Sequence, residues 1–391
     1  MPDIKAIQSE LRATKLDGWL FFDHHHRDPI ARSVLGLSSN GLVTRRWFYF
    51  IPAKGEPRKL VHRIEQGTLD SLAGRKYVYG GWEELHKTLP KLLSGSKTIA
   101  MQYSPENNIP YIGLVDAGTI ELIRKLKKKV VSSADLVQKF EATWTPAQLE
   151  SHLAAGKIVD SVRSVAFERA AAFVREGKPL TESDLQQWIA EKFRANGLTP
   201  EQTIVAVQPN NGDPHYSPNP KASRPIRAGD LLLLDMWAKF DRPGSVYYDI
   251  TWMGYLGNRV PDAYAKIFRI VKQARDSAVE FIQDRIAAGR PVRGWELDGV
   301  ARSIIQKAGY AKYFVHRLGH SIGQEVHGNG ANMDGLETRD DRKIVPRTCF
   351  SIEPGIYLPE FGVRTEVNVY VGEREARVTG AIQNEILPLL A

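Results

Sequence analysis

Cysteine is nearly absent, with Cys349 alone among 391 residues. That excludes an internal disulfide framework and fits a reducing, cytoplasmic setting. Long apolar runs are missing too, so no helix is expected to span a membrane. The opening MPDIKAIQSELRATK lacks the charged-then-apolar pattern of a secretory signal. Zinc-finger spacing, an RNP-like aromatic signature and a Walker loop are lacking as well, and no nucleic-acid partner is expected.

What remains is an ordinary globular composition, 42% apolar, enough to bury the cores of two or three domains. The net charge of +8 would permit acidic partners, but the basic residues are dispersed. Their one dense run, Arg124-Lys125-Leu126-Lys127-Lys128-Lys129, reads as a solvated helix face.

The fold class expected is α/β (α+β) in two domains, 1–140 and 141–391. In the first, IKAIQSELRAT suits an opening helix, while GWLFF (18–22) and WFYFI (47–51) suit buried strands. Thr145-Pro146 then supplies an N-cap and a first helical residue. The periodicity predicts a helix running to Gly177. Beyond it, GKPLTESDLQQWIAEKFRANG (177–197) aligns without gaps on GRPVRGWELDGVARSIIQKAG (289–309), an offset of 112 residues. Each copy follows a long helical segment, 146–176 or 261–288. Strand-rich sequence follows each, at 202–208 and 230–255 or at 313–316 and 349–371. A duplicated unit of two helices and antiparallel strands, packed as pseudo-twofold halves around a shared site, is the economical reading.

Residues 316–327, HRLGHSIGQEVH, bring His316, His320 and His327 close together in sequence. Gly319 and Gly323 argue against a helix, since each would cost about 1 kcal/mol in its interior. The first half contains LLLLDMWAKFDRPGSVYYDITW (231–252), two strands around a Pro-Gly turn that place Asp235 and Asp249 in apolar surroundings. The second contains CFSIEPGIYLPEFGVRTEVNVYV (349–371), with Glu353 and Glu366 similarly placed. Carboxylates inside apolar strands are costly unless paired with a base such as Arg364 or bound to a cation. Four acids with a histidine make a mixed oxygen and nitrogen donor set that suits Mn²⁺, Co²⁺, Fe²⁺ or Zn²⁺. They are enough to bridge two ions roughly 3.5–4 Å apart.

The order Asp, Asp, H-x-x-G-H-x-I-G-x-x-x-H, E-P-G and G-V-R-x-E resembles the pita-bread metallopeptidases over roughly 145–391. Residues 1–140 look like the amino-terminal domain of the aminopeptidase P, prolidase and creatinase branch, which methionine aminopeptidase generally lacks. The resemblance implies two divalent ions, manganese first among the candidates. Asp235 would chelate one ion and Asp249 and Glu366 would bridge both, while His320 and Glu353 would bind the other. Glu353 would also be general base for the bridging hydroxide. His215, His316 and His327 would face the substrate, and Arg364 would meet a substrate carboxylate or orient the site. The implied reaction is hydrolysis of the bond before proline, in a dipeptide or a longer peptide, by a homodimer.

Departures from the pattern are the spacing of Asp235 and Asp249, fourteen apart, Gly328 where glutamate is frequent, and Val367 where aspartate is common. A hydrolase or lyase of a small non-peptide metabolite, and a non-catalytic binding module, are the alternative readings. Asp23-His24-His25-His26-Arg27-Asp28 reads as a turn after the first strand, or as a lining of the cleft from this or a neighbouring subunit. Trp237 and Trp252, beside the two aspartates, are candidates for the substrate wall.

Overall fold

The computed structural model describes residues 2–38 and 41–391, divided into two compact units, Met1–Glu141 and Ala142–Ala391. No helix among the described residues is long and apolar enough to cross a membrane.

Unit 1 runs α1 (Ile4–Ala13), β1 (Gly18–Asp23), α2 (Pro29–Leu35), β2 (Trp47–Pro52), β3 (Arg58–His62) and β4 (Arg75–Tyr79). It continues with α3 (Trp82–Leu92), β5 (Thr98–Met101), α4 (Ala117–Lys125), β6 (Lys129–Ser132) and α5 (Ala134–Val137). The strands form one sheet in the order β4-β3-β2-β1-β5-β6. β2 is antiparallel to both neighbours, and the other pairings are parallel. Trp19 and Phe21 of β1 enter one core, and Leu20 and Phe22 enter the core on the opposite face. A strand buried on both faces needs a continuous apolar run rather than an alternating one, which is why GWLFF and WFYFI carry almost no polar residue.

The basic run at 124–129 does not form the single helix face expected of it. α4 ends at Lys125, Lys127 takes φ +58°, and Lys129 opens β6.

In unit 2, α6 (Pro146–Arg175) starts on a capping box at Thr145 and stops before Gly177, whose φ is +63°. It is followed by α7 (Glu182–Ala195), β7 (Ile204–Val207), β8 (Leu231–Ala238) and β9 (Tyr248–Tyr255). The second half has α8 (Asp262–Ala287), α9 (Gly294–Lys307), β10 (Ser321–Ile322), β11 (Thr348–Ile352), β12 (Gly355–Tyr357), β13 (Gly362–Arg364), β14 (Val367–Val371) and β15 (Ala376–Thr379). β16 (Leu387–Pro388) returns to pair with β9. Two four-stranded sheets result, β16-β9-β8-β7 and β10-β11-β14-β15.

The internal repeat is visible in detail. The backbone N–H of Thr181 donates to the Asp184 carboxylate at 2.9 Å, and that of Arg293 to Glu296 at 2.8 Å, at the N-termini of α7 and α9. Glycines at positive φ close both helices, Gly197 at +72° and Gly309 at +87°. The strand expected at 313–316 does not form. A 3₁₀ turn over Ala311–Tyr313 and irregular chain occupy that stretch, because the arginine of α9 holds it: Arg302 donates to the carbonyls of Phe314 at 3.0 Å and His316 at 2.9 Å.

Candidate metal centre and active site

The β8–β9 hairpin pairs Asp235 with Thr251 and Trp237 with Asp249. Side chains alternate across a strand. Leu232, Leu234 and Met236 of β8 pack on the core containing α6 and α7, so Asp235 projects from the other face. Asp249 and Thr251 share that face with it, because diagonal positions two residues apart in the register point the same way. The loop of 239–247, with Gly244 at φ +81°, absorbs the wide spacing of the aspartates. Trp252 has the opposite parity. It packs in the helix-side core with the Arg163 guanidinium 3.6 Å from its ring centre, away from the face that Trp237 shares with the two aspartates.

The second half delivers the other donors from three neighbouring segments. His320 lies just before β10, Glu353 just after β11, and Glu366 between β13 and β14. Val367, Val369 and Val371 turn to the core that contains α8, leaving Glu366 and Asn368 on the opposite side. The halves meet there. The N–H of Glu366 donates to the Thr251 carbonyl at 3.1 Å, and the Thr251 hydroxyl donates to Glu366 Oε2 at 2.9 Å.

Asp249, His320 and Glu366 are all buried and offer ligand atoms within 4.8 Å of one another. Glu353 adjoins them, its Oε1 lying 3.3 Å from His320 Nε2 and accepting from the Ser351 hydroxyl at 3.0 Å. His320 Nδ1 donates to the Ser321 carbonyl at 3.2 Å and Nε2 faces Asp249 Oδ2 at 3.5 Å; burial would lower its pKa, but Asp249 and Glu353 raise it. Asp235 is drawn off toward Arg364, with which it forms a buried ion pair. Arg364 also donates to the Thr251 hydroxyl at 3.0 Å and to Tyr357 Oη at 3.2 Å.

The other histidines differ in setting. His316 Nδ1 donates to the Arg317 carbonyl at 2.6 Å, and its Nε2 is 2.8 Å from Tyr357 Oη. A carbonyl only accepts, so Nε2 is the accepting nitrogen and neutral His316 has no N–H left over for a substrate. His327 lies with its ring centre 4.3 Å from that of His320. His215 is exposed on the loop after Asp213, whose carboxylate accepts its backbone N–H at 3.0 Å.

The electrostatics of the cluster favour a positive charge among its acids. Burial pushes the carboxyls of Asp235, Asp249 and Glu366 above the ordinary range, and repulsion from neighbouring acids adds to this. Burial acts on Glu353 in the same direction but is outweighed by nearby positive charge, His320 first and then Arg364, which hold it low. His316 is pushed down to about 4 by burial, so it is neutral near pH 7, whereas His327 is exposed to solvent. Oδ1 of Asp249 and Oε1 of Glu366 are buried and take no hydrogen bond among the described residues. An imidazole nitrogen and two unsatisfied carboxylate oxygens in one buried spot fit a divalent cation, which would stabilise the ionised acids.

The sequence model of metallopeptidase family M24 matches residues 150–373. The chain belongs to metallopeptidase family M24. That membership implies divalent metal ions and assigns the pita-bread architecture to unit 2. Among curated relatives of this M24 protein, the Xaa-Pro dipeptidase of Lactobacillus helveticus is 31% identical over 234 residues, 60% of this chain and 58% of that protein. The match thus spans less than two thirds of that relative's length. Similarity to solved structures extends over nearly the whole chain. Dipeptidase PepE from Mycobacterium ulcerans superposes with a TM-score of 0.71 at 25% identity, covering 99% of this chain and 96% of the other. Prolidase from Thermococcus sibiricus shares the fold, with a TM-score of 0.67 at 21% identity and 98% of both chains covered.

The M24 site contains side chains that the motifs did not reveal. Thr251, Ser351, Tyr357 and Asn368 each hold a candidate ligand or its neighbour. Strand parity gave the available signal for Thr251, two residues beyond Asp249 on the same face. Tyr357 and Asn368 make contacts across long stretches of sequence, and no local pattern marks them.

Proposed function

We propose that this M24 protein is a dinuclear metallopeptidase that hydrolyses the bond between an amino-terminal residue and proline. The observation that carries the reading is the buried group of Asp249, His320 and Glu366, with Glu353 3.3 Å from His320. Asp235, Asp249, His320, Glu353 and Glu366 would hold two ions, with manganese the first metal to supply. Bound there, the ions would polarise the scissile carbonyl and lower the pKa of a shared water.

The remaining work falls to the protein's own groups. Glu353 is ionised and fixed by Ser351, so it is the base that accepts a proton from the attacking water. Arg364 pairs with Asp235, opposing the effect of its burial, and through Thr251 aligns Glu366. His316 accepts the Tyr357 hydroxyl at Nε2, and it would donate to a substrate carbonyl only after releasing that hydroxyl and taking a proton on Nε2. His327 and His215 are assigned to the substrate side. The bond before proline lacks an N–H, so recognition must come from shape and from the proline ring rather than from a hydrogen bond at that nitrogen. The names of the relatives support this substrate class, and the amino-terminal unit, read as creatinase-like or prolidase-like, belongs to the same proposal. So do a homodimer and a cytoplasmic site of action.

The test is Mn²⁺-supplemented hydrolysis of Ala-Pro and Ala-Pro-Ala, with Glu353→Ala as control. Cleavage of Ala-Pro alone identifies a dipeptidase, and cleavage of Ala-Pro-Ala an aminopeptidase. Failure on both peptides would move the site to a non-peptide substrate, and full activity after thorough chelation would remove the metal from the account.

A further inference from the structure

Residues 1–141 hold 22 Lys and Arg against 15 Asp and Glu, so unit 1 carries nearly all of the chain's excess charge of +8. Part of that excess borders one cavity of about 750 Å³. His24 and His25 reach it from the end of β1, and Arg45 and Arg46 from the chain entering β2. Arg27 completes the cationic lining.

The position is one that α/β sheets favour for ligands. His62 and Tyr79, the last residues of β3 and β4, also border the cavity, so it lies outside the carboxyl ends of β1, β3 and β4. The wall is continued by Gly81 and Trp82 at the start of α3. Gly81 caps that helix without a side-chain hydrogen bond, and a Cβ added to it would meet nothing within 4 Å. The amide just before it is already taken, since Glu84 Oε2, from the first turn of this eleven-residue helix, accepts the Gly80 N–H at 2.5 Å, so anion binding here falls to the arginines.

The cationic charge is poorly compensated from within. Asp116 is the one acid bordering the cavity, and its carboxylate is engaged by the Thr119 amide and hydroxyl, each at 2.8 Å. Glu65, close by, accepts from the amides of Thr44 at 2.9 Å and Arg45 at 3.1 Å. Arg45 Nη1 bonds only neutral oxygens of Thr44, and neither Arg27 nor Arg46 pairs its guanidinium with a carboxylate among the described residues. Trp82 is 65% exposed, a large apolar surface at the edge of a cationic space.

We propose that this cleft binds a small phosphorylated metabolite, its phosphate held by Arg27 and Arg46 and its organic part resting against Trp82. Phosphate fits because arginine presents a planar fork of donors that matches its oxygens. The volume lies in the range of small-molecule sites and exceeds what a bare ion would fill. Trp82 supplies a flat apolar surface for the remainder. The site is independent of the peptidase reading, which rests on unit 2.

The experiment is calorimetric titration of the full chain, at low salt, with AMP, inorganic phosphate and citrate. AMP is expected to bind more tightly than either of the others and to weaken as salt is added. The double variant Arg27→Gln/Arg46→Gln should lose at least tenfold in AMP affinity with an unchanged melting temperature. Lys125→Gln, at the far end of α4, should bind as the natural protein does. Trp82→Ala should weaken AMP and leave inorganic phosphate unaffected. Absence of AMP binding, AMP binding unaltered in the double variant, or citrate binding as tightly as AMP would overturn the proposal.

Discussion

Asn368 clamps the backbone of Asp249 from the opposite half of unit 2. Its Oδ1 accepts from the Asp249 N–H at 3.2 Å and its Nδ2 donates to the Asp249 carbonyl at 2.6 Å. This reciprocal pair joins two segments 119 residues apart and fixes the strand that presents a candidate ligand. Together with the Thr251–Glu366 bonds, it explains how acids from two duplicated halves come to share one buried spot.

Replacing Asn368 with alanine leaves two buried backbone groups of Asp249 unpaired, a penalty on the order of 1–3 kcal/mol. The expected outcome is a lower melting temperature and a Mn²⁺ affinity reduced roughly 10- to 100-fold, as for other losses around a metal ligand. Thermal denaturation and metal titration of Asn368→Ala measure both. Unchanged metal affinity would separate the clamp from the metal site.

Two glycines of the histidine motif should respond oppositely to substitution. A Cβ on Gly319 would lie 2.0 Å from the Ser351 carbonyl oxygen, whereas a Cβ on Gly323 would meet its nearest neighbour at 4.0 Å. Gly319→Ala must therefore push β11 and His320 apart, with loss of metal binding and a clear fall in melting temperature. Gly323→Ala should be tolerated. Comparable stability and metal content in the two variants would contradict this packing.

His152 gives unit 2 an acid-sensitive contact. It is fully buried on α6, with Nδ1 2.7 Å from the Tyr247 carbonyl and Nε2 2.6 Å from the Thr379 hydroxyl. Burial pushes its pKa down to about 4, below the unfolded value of 6.5. The unfolded state thus binds the proton more readily, and this contribution to stability is present above pH 6.5 and is lost as pH falls through 6.5 toward 4. The shift corresponds to about 3 kcal/mol. His152→Gln should flatten the decline in melting temperature over that window, and a decline as steep as in the natural protein would assign the acid sensitivity elsewhere.

Asp28 in unit 1 should show the reverse sign. Burial raises its carboxyl from 3.8 to about 7, with repulsion from Asp23 adding to the effect. The folded state here binds the proton more tightly, so stability declines as pH rises from about 4 to 7. Asparagine caps a helix as well as aspartate does. Asp28→Asn should therefore keep the bond to the Ala31 amide, stabilise unit 1 at pH 8 and make little difference at pH 4. Urea unfolding at the two pH values tests the contrast, and equal effects at both would refute it.

Much of this was legible in sequence because it is local. The capping box at Thr145, the glycines ending the repeated helices and the continuous apolar strands of unit 1 depend on a few neighbouring residues. The order of Asp235, Asp249, His320, Glu353 and Glu366 could be read for the same reason. The bonding of Arg364 could not, since it follows from a pairing with Asp235 that lies 129 residues away. Nor could the fate of His316, whose hydrogen-bonding capacity is taken up by Arg317 and Tyr357 only once the chain is folded. Trp252 was misplaced by judging nearness along the chain, although its parity relative to Asp249 already put it on the opposite face. The basic run failed as a helix because Lys127 turns to positive φ and the chain enters β6.

The most direct test of the central claim is the metal content of the full chain, reconstituted with Mn²⁺, freed of unbound metal and measured against Glu366→Gln. The account predicts two ions per chain in the natural protein and at most one in the variant, with the catalytic unit melting at a lower temperature. Fewer than two ions in the natural protein, or two retained by Glu366→Gln, would contradict it.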